Sequence, residues 1–409
     1  MPRSGTCRPL SDPVGHRPGD AGYRRLIVAL FFAGIATFAQ IWVTQGVLPI
    51  LAADFAISPA TAALSVSVCT LGVAGAVIPW SWVADRIGRV PAIGIGVLTA
   101  TVLGSLVPFM PAIGPLLAVR LMEGVALGAV PAVALALLTE EVHPRHVASA
   151  AGSYIAGTTV GGLSGRLVAG PVGDANGWHA GVWSVMAMCL ASGLVFVLLV
   201  PRARGFVAHR RRTTTGPSIV TRLWTTLRSG RQLAICAQGF LLMGGFVAMY
   251  NYLGFRLTAP PLSLPTSVAS LVFLAYLAGT VSSPLAGVWA TRRGRPAVLL
   301  AGIVTMTAGA LLTLLPHVAT LIAGMLVFTA GFFAAHAVAS GWASAAATPE
   351  TRAQASSLYY LGYYGGSGLF GWCLGFIYDG VAWAGLITGI VLLCAVSATL
   401  AITVLRQRG

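Results

Sequence analysis

The sequence predicts an all-α integral membrane protein, with twelve transmembrane helices arranged as two pseudo-symmetric six-helix bundles. Three observations predict it: the composition, the spacing of long apolar runs, and a repeat at about half the chain length. Of 409 residues, 56% are hydrophobic and 9% are charged, and the mean hydropathy is +0.84. A chain this apolar does not face water over most of its surface, so its solvent is a bilayer.

Apolar runs long enough for a bilayer core, which takes about 20 helical residues, lie at 26–51, 60–81, 90–109, 114–139, 148–171 and 180–200. A second six lie at 233–257, 266–289, 296–315, 318–341, 354–377 and 382–404. Helices are expected over a barrel because the runs are continuously apolar, and a helix satisfies its own backbone in lipid. The expected organisation is a disordered cytoplasmic tail (1–25), an N-terminal bundle (26–200), a basic cytoplasmic linker (201–232), a C-terminal bundle (233–405) and a short cytoplasmic tail (406–409). The run beginning at Leu26 is too long for a signal-peptide core, so it reads as an uncleaved first span.

All 25 basic residues are arginine, and the formal charge is +15. In a soluble chain that balance suggests nucleic acid; here the arginines separate apolar runs, so no nucleic-acid partner is expected. With the N-terminus cytoplasmic, 22 arginines fall on the inner side and one, Arg256, on the outer, beside Asp54, Asp174 and Asp379. This is a positive-inside asymmetry, which predicts a multi-pass protein of a cytoplasmic membrane with both termini inside. The six cysteines form no CxxC pair, and neither a metal site nor a cofactor is expected. No G-x-x-x-x-G-K-[ST] loop signals ATP drive, and no Ser-His-Asp or paired-carboxylate setting outside the spans signals an enzyme.

Two short breaks organise the chain: Ser81–Pro91 (SWVADRIGRVP) and, 206 positions later, Gly287–Pro296 (GVWATRRGRP). A second repeat pairs Tyr154–Asp174 with Tyr359–Asp379 at an offset of 205, with Tyr, three Gly and the terminal Asp coinciding. Similar halves with a site between them near mid-bilayer are a known transporter plan.

These residues resemble the major facilitator superfamily. Its loop signature G-x-x-x-D-R-x-G-R-[RK] is matched by Asp85, Arg86, Gly88 and Arg89, with Ser81 and Val90 departing from it. The second copy keeps Gly287, Arg292, Gly294 and Arg295 but has Thr291 in place of the acid. Arg120, Gly124 and Gly128 are similar to the family's R-x-x-x-G-x-x-x-G segment, whereas Gly161 lacks the following Pro that marks the drug–proton antiporters. The GGLSGR and VLPILAADF strings look more like the sugar-efflux-permease-like branch. The resemblance implies the major facilitator fold, alternating access, and a cytoplasmic gating loop around Asp85. Asp85 is expected to face a helix N-terminus or an arginine across the interface between halves.

Three charges lie within spans: Arg120, Glu123 and Arg166. Charges at that depth face cavities or partners. Arg120 and Glu123 share a helical face, and all three are expected to meet in the outer half of the N-terminal bundle. Glu123 is either a proton-accepting group released by an arginine in one state, or half of a permanent ion pair; the arginine excess also permits an anionic substrate. Other candidates to line the cavity are Gln40, Gln45, Asn251, Tyr252, His336 and the i,i+4 pairs Tyr359/Tyr363 and Tyr360/Tyr364. Gly157, Gly161 and Gly165, with Gly362 and Gly366, allow close helix approach, for packing or for a sliding interface.

The expected function is a monomeric secondary transporter that exports a small organic molecule, sugar-like or drug-like, against protons. Proton-coupled uptake of a small organic anion and a non-transporting receptor or scaffold are the alternatives; the longest connection, 201–232, is short for a signalling domain.

Overall fold

The computed structural model describes residues 15–203, 219–348 and 351–405. The first half holds α1 (Ala21–Trp42), α2 (Leu48–Asp54), α3 (Pro59–Ile87), α4 (Arg89–Leu106), α5 (Ile113–Leu127), α6 (Ala129–Glu141) and α7 (Val147–Leu199). After α8 (Ile219–Arg228) come α9 (Gly230–Thr258), α10 (Thr266–Ser270), α11 (Leu277–Arg293), α12 (Arg295–Leu312), α13 (Val318–Ala345) and α14 (Arg352–Leu400).

At about 1.5 Å per residue, the 53 residues of α7 and 49 of α14 far exceed a bilayer's thickness. Both fold back at a residue with non-helical backbone, Gly177 (φ 83°) in α7 and Ala382 (φ 56°) in α14. These positions are 205 apart, so the two halves reverse direction at equivalent points. Counting each as two passes, and joining α5 with α6 and α10 with α11, gives twelve passes among the described residues. Gly88 (φ 100°) and Gly294 (φ 83°) close the α3–α4 and α11–α12 turns with backbone that only glycine adopts readily. The surface toward lipid is apolar, as at Leu198 and Val381.

Two expectations change at the termini of the first half. Residues 15–20 are not a free tail: the His16 amide donates to the Glu141 carbonyl (2.8 Å), and the His143 amide donates to the His16 carbonyl (3.1 Å), which holds this strip against the end of α6. The first helix starts at Ala21, because Tyr23 and Leu26 are already buried. The linker contains α8, a short helix that hydropathy reading misses because its apolar residues alternate with Arg and Thr. The tail expectations for 1–14 and 406–409, and the linker expectation for 204–218, lie outside the described residues.

The glycine repeats pack within each half. A Cβ on Gly157 would sit 2.2 Å from the Phe31 carbonyl oxygen, and one on Gly165 would sit 2.6 Å from that of Ala39, so α7 lies directly on the backbone of α1. In the second half, a Cβ on Gly366 would sit 1.9 Å from the Phe240 carbonyl oxygen, fixing α14 on α9.

Contacts between the halves cluster from mid-membrane to the end that carries Asp54, Asp174 and Asp379, the aspartate end: Gly368 meets Leu71, Gly375 meets Ala60, Gly170 meets Ser270, and Gly254 meets Pro49. The opposite, arginine end carries the Arg86–Arg89 and Arg292–Arg295 loops.

Candidate functional site

The site begins where α1 stops being an α-helix. After Trp42 the chain tightens into a 3-10 turn, Val43–Gly46, before α2 resumes. A Cβ on Gly46 would lie 2.9 Å from the Arg166 carbonyl oxygen, so this turn is pressed onto α7. Gln45 then reaches both halves: its Oε1 accepts from Arg166 Nε (2.5 Å), and its Nε2 donates to Asn251 Oδ1 on α9 (2.5 Å). Gln45 and Asn251 are 206 positions apart, the spacing of the repeat, so equivalent residues of the two halves meet each other on the pseudo-twofold axis. Asn251 Nδ2 in turn donates to the Gly371 carbonyl (3.1 Å).

Arg166 is fully buried at this junction. Its Nη1 donates to the Gly162 carbonyl (2.6 Å) and its Nη2 to the Tyr276 hydroxyl of the other half (3.0 Å). The guanidinium lies over Tyr276 (4.5 Å), Trp42 (4.7 Å) and Phe273 (5.2 Å), an arrangement that stabilises a desolvated cation. No carboxylate pairs with it among the described residues. Beside it lies a cavity of about 90 Å³, bordered by Trp42, Gly162, Phe246, Tyr276, Tyr363 and Tyr364.

Arg120 and Glu123 sit elsewhere. Both are fully buried in the core of the first half, paired at 2.7 Å. Arg120 also donates to the Gln40 carbonyl (3.1 Å), the Ile41 carbonyl (2.9 Å) and the Ser65 carbonyl (3.0 Å). The first two are carbonyls in the last turn of α1, and that of Gln40 accepts from the Val43 amide as well. Arg120 therefore ties the break in α1 to α3 and α5. Gln40 donates to Thr101 on α4 (3.1 Å) and lines the same core, not the space between halves. Glu123 Oε1 has no hydrogen-bond partner and lies close to Gly104, whose missing side chain makes room for it.

The expected meeting of all three charges is not what the chain does. Depth along a helix puts them at one level, but the glycine ridge fixes α7 against α1, and Arg166, one residue beyond Gly165, turns toward the other half.

Of the remaining candidates, Tyr363 and Tyr364 border the cavity, and His336 Nδ1 shares a hydrogen bond with the Tyr359 hydroxyl (2.9 Å) within the second half. The His336 ring lies tilted against Tyr363, with ring centres 4.8 Å apart, whereas Tyr360 is an exposed neighbour. Tyr252 lies nearer the aspartate end, bonding the Gly371 carbonyl (3.2 Å). Trp42, Phe273 and Tyr276 were missed by sequence reading; aromatic residues in apolar spans are too common to stand out.

At the arginine end, Arg89 pairs with Asp85 of the same loop (2.6 Å) and with Glu140 on α6 (3.0 Å). Asp85 thus meets its own loop, in place of the helix N-terminus or cross-interface arginine expected for it, and the motif clamps α3, α4 and α6 within one half. Arg86 packs over Trp82 at 3.4 Å. Among the described residues Arg292 and Arg295 have no ion pair.

The aspartate end carries two cross-half bonds that sequence reading overlooked. Asp379 Oδ1 accepts from the Ala60 amide (3.3 Å) in the first turn of α3, and Asp174 Oδ2 accepts from the Ser267 amide (3.2 Å) in the first turn of α10. Each aspartate caps a helix N-terminus of the opposite half. The signal was present: these are the coincident terminal residues of the Tyr154–Asp174 repeat.

Comparison with known proteins agrees with this architecture. A profile for the Major Facilitator Superfamily matches residues 30–264 and 261–408. The inner membrane transport protein YnfM of Escherichia coli is 38% identical over 380 residues, 93% of this chain and 90% of that protein. The uncharacterized MFS-type transporter YybF of Bacillus subtilis is 34% identical over 372 residues, 91% of each chain. Among solved structures, a bacterial homologue of the human lysosomal transporter Spinster, inward-facing and occupied, superposes with a TM-score of 0.76 at 15% identity, over 96% of this chain and 98% of that one. The nucleoside transporter NupG (D323A mutant) gives 0.73 at 14% identity, over 94% and 100%. The chain belongs to the major facilitator superfamily and is a multi-pass membrane transporter.

Proposed function

We propose that this chain is a monomeric, proton-coupled secondary transporter that exports a small organic molecule across a bacterial inner membrane by alternating access, binding it between the halves at Gln45, Arg166 and Asn251. The observation that carries this reading is the Gln45–Asn251 bond on the pseudo-twofold axis, continued to Arg166. Opening either face must strain that junction, so a cargo that replaces these bonds couples its own binding to the motion of the halves. The arginine end is cytoplasmic on the positive-inside rule, so the aspartate caps close the outer face and the site is poised to load from inside.

Glu123 is the candidate for proton coupling. Its Oε2 holds Arg120 while Oε1 has no partner, so a proton can enter at Oε1 without first breaking the ion pair. Proton-coupled uptake of a small organic anion is the second reading, favoured by the unpaired charge of Arg166. Everted vesicles with an imposed pH gradient separate these readings. Substrate-dependent proton release from the vesicles supports export by exchange, whereas no proton movement across a broad panel of sugars, drugs and organic anions would sink it. If Glu123→Gln retains pH-dependent transport, Glu123 is not the coupling site.

A further inference from the structure

At the arginine end of the second half, a cavity of about 1180 Å³ opens among the ends of α9, α11, α12 and α13 and the segment Ala401–Leu405. We propose that it is a binding site for the phosphate headgroup of an anionic phospholipid from the adjacent leaflet, with one acyl chain lying along the outer face of α12.

The charge argues for an anion. Arg231, Arg293 and Arg295 line the cavity, and no Asp or Glu among the described residues does. None of the three forms a salt bridge among the described residues, and Arg231 Nε is buried without a hydrogen-bond partner. The Arg231 guanidinium lies 5.6 Å over Trp342, which holds it in place. Two helices also begin here, α9 at Gly230 and α12 at Arg295, and 29 and 18 residues of aligned peptide dipoles direct their positive ends to the same rim.

The first half shows what this corner looks like when it is neutralised. Arg89, the equivalent of Arg295 206 positions earlier, is held by Asp85 and Glu140. At the same offset the second half has Thr291 and Ala346. Both acids are gone while the arginine is kept, and a cavity stands where the clamp would be.

The other wall argues for lipid. Val304 is 60% and Ile402 43% exposed, so the cavity runs from its basic rim onto an apolar face turned toward the acyl chains. A basic pocket between helix ends, at headgroup level and continuous with an apolar groove, fits an anionic glycerophospholipid. A free phosphate satisfies the rim alone.

The test is thermal unfolding of the purified, detergent-solubilised full chain titrated separately with dioleoylphosphatidylglycerol, dioleoylphosphatidylcholine and inorganic phosphate. The proposal expects saturable stabilisation by phosphatidylglycerol, with an apparent affinity about thirtyfold lower in Arg293→Gln/Arg295→Gln, at the usual contribution of an arginine near anionic headgroups. Thr291→Asp restores an i,i+4 acid for Arg295 without removing any arginine, and is expected to weaken phosphatidylglycerol binding as well. It keeps the test decisive if the double variant fails to fold. Equal stabilisation by phosphatidylcholine, undiminished binding by Thr291→Asp, or inorganic phosphate stabilising as strongly as phosphatidylglycerol would each overturn the lipid site.

Discussion

Replacing both capping aspartates, Asp174→Asn with Asp379→Asn, is expected to open the aspartate end without unfolding either half. Each carboxylate accepts one amide bond from the opposite half, at 3.2 and 3.3 Å, and each faces the positive end of a helix. Asparagine keeps an acceptor of the same shape and removes the charge, so the loss is the charge–dipole part of the contact. For exposed carboxylates that part is about 0.3–1 kcal/mol each. Two independent caps on opposite sides of the axis add, giving roughly 0.6–2 kcal/mol, or about a 3- to 30-fold shift in the ratio of open to closed forms. Nitroxides on Asn176→Cys and Ser263→Cys, which flank the Asp174 cap, read that ratio by double electron–electron resonance. The double variant should gain a long-distance population, each single variant about half of the free-energy change, and high salt should mimic the variants in the wild type. A distance distribution unchanged by both substitutions would refute the view that these caps hold the outer face shut.

Further expectations concern single elements. Arg120→Leu leaves the Glu123 carboxylate buried without a counter-charge and should destabilise the chain by about 3–5 kcal/mol, read as loss of folded protein on size-exclusion chromatography; Arg120→Leu with Glu123→Leu should recover most of it. Ala382→Gly relieves an alanine held at φ 56° and should stabilise by about 1 kcal/mol, seen as a rise in Tm; no rise would mean that this reversal is not strained. Gly161→Leu drives a side chain into the backbone of Ile35, 2.6 Å from where its Cβ would stand, and should abolish folding where Gly152→Leu, with open space around it, does not. Asp85→Asn should impair transport more than Thr291→Ala, because only Asp85 has a guanidinium to hold; equal effects would show that the clamp is dispensable.

The passes were legible because a bilayer demands about 20 apolar residues per helix and little else. The repeat offset also carried more than it was asked: at 206 it predicts that Gln45 and Asn251 are equivalent, and at 205 it aligns Asp174 with Asp379 and Gly177 with Ala382. Which side of a helix faces the partner half was not legible. Spans that are apolar all round have no polar stripe to orient them, so Arg120, Glu123 and Arg166 were grouped by depth, while the azimuth of Arg166 is set by backbone contacts at Phe31, Ile35 and Ala39, and that of Arg120 and Glu123 by the contact of Gly124 with Cys69, which only the folded chain displays. The α1 break at Val43–Gly46 was hidden for a related reason: VTQG between apolar residues carries no strong stop signal, and the turn is secured from outside by Arg120 and Arg166. In the second half, the loss of the acid at Thr291 was visible, but the cavity that loss accompanies was not.

The central claim is that cargo binds on the axis between the halves. Its most direct measurement is substrate-driven proton movement in everted vesicles, compared for the wild type and for Gln45→Ala and Arg166→Gln at matched protein levels. Strong loss in both variants, with Thr291→Ala at the arginine end much less affected, is the predicted result. Undiminished substrate-driven proton movement in Gln45→Ala and Arg166→Gln would contradict it.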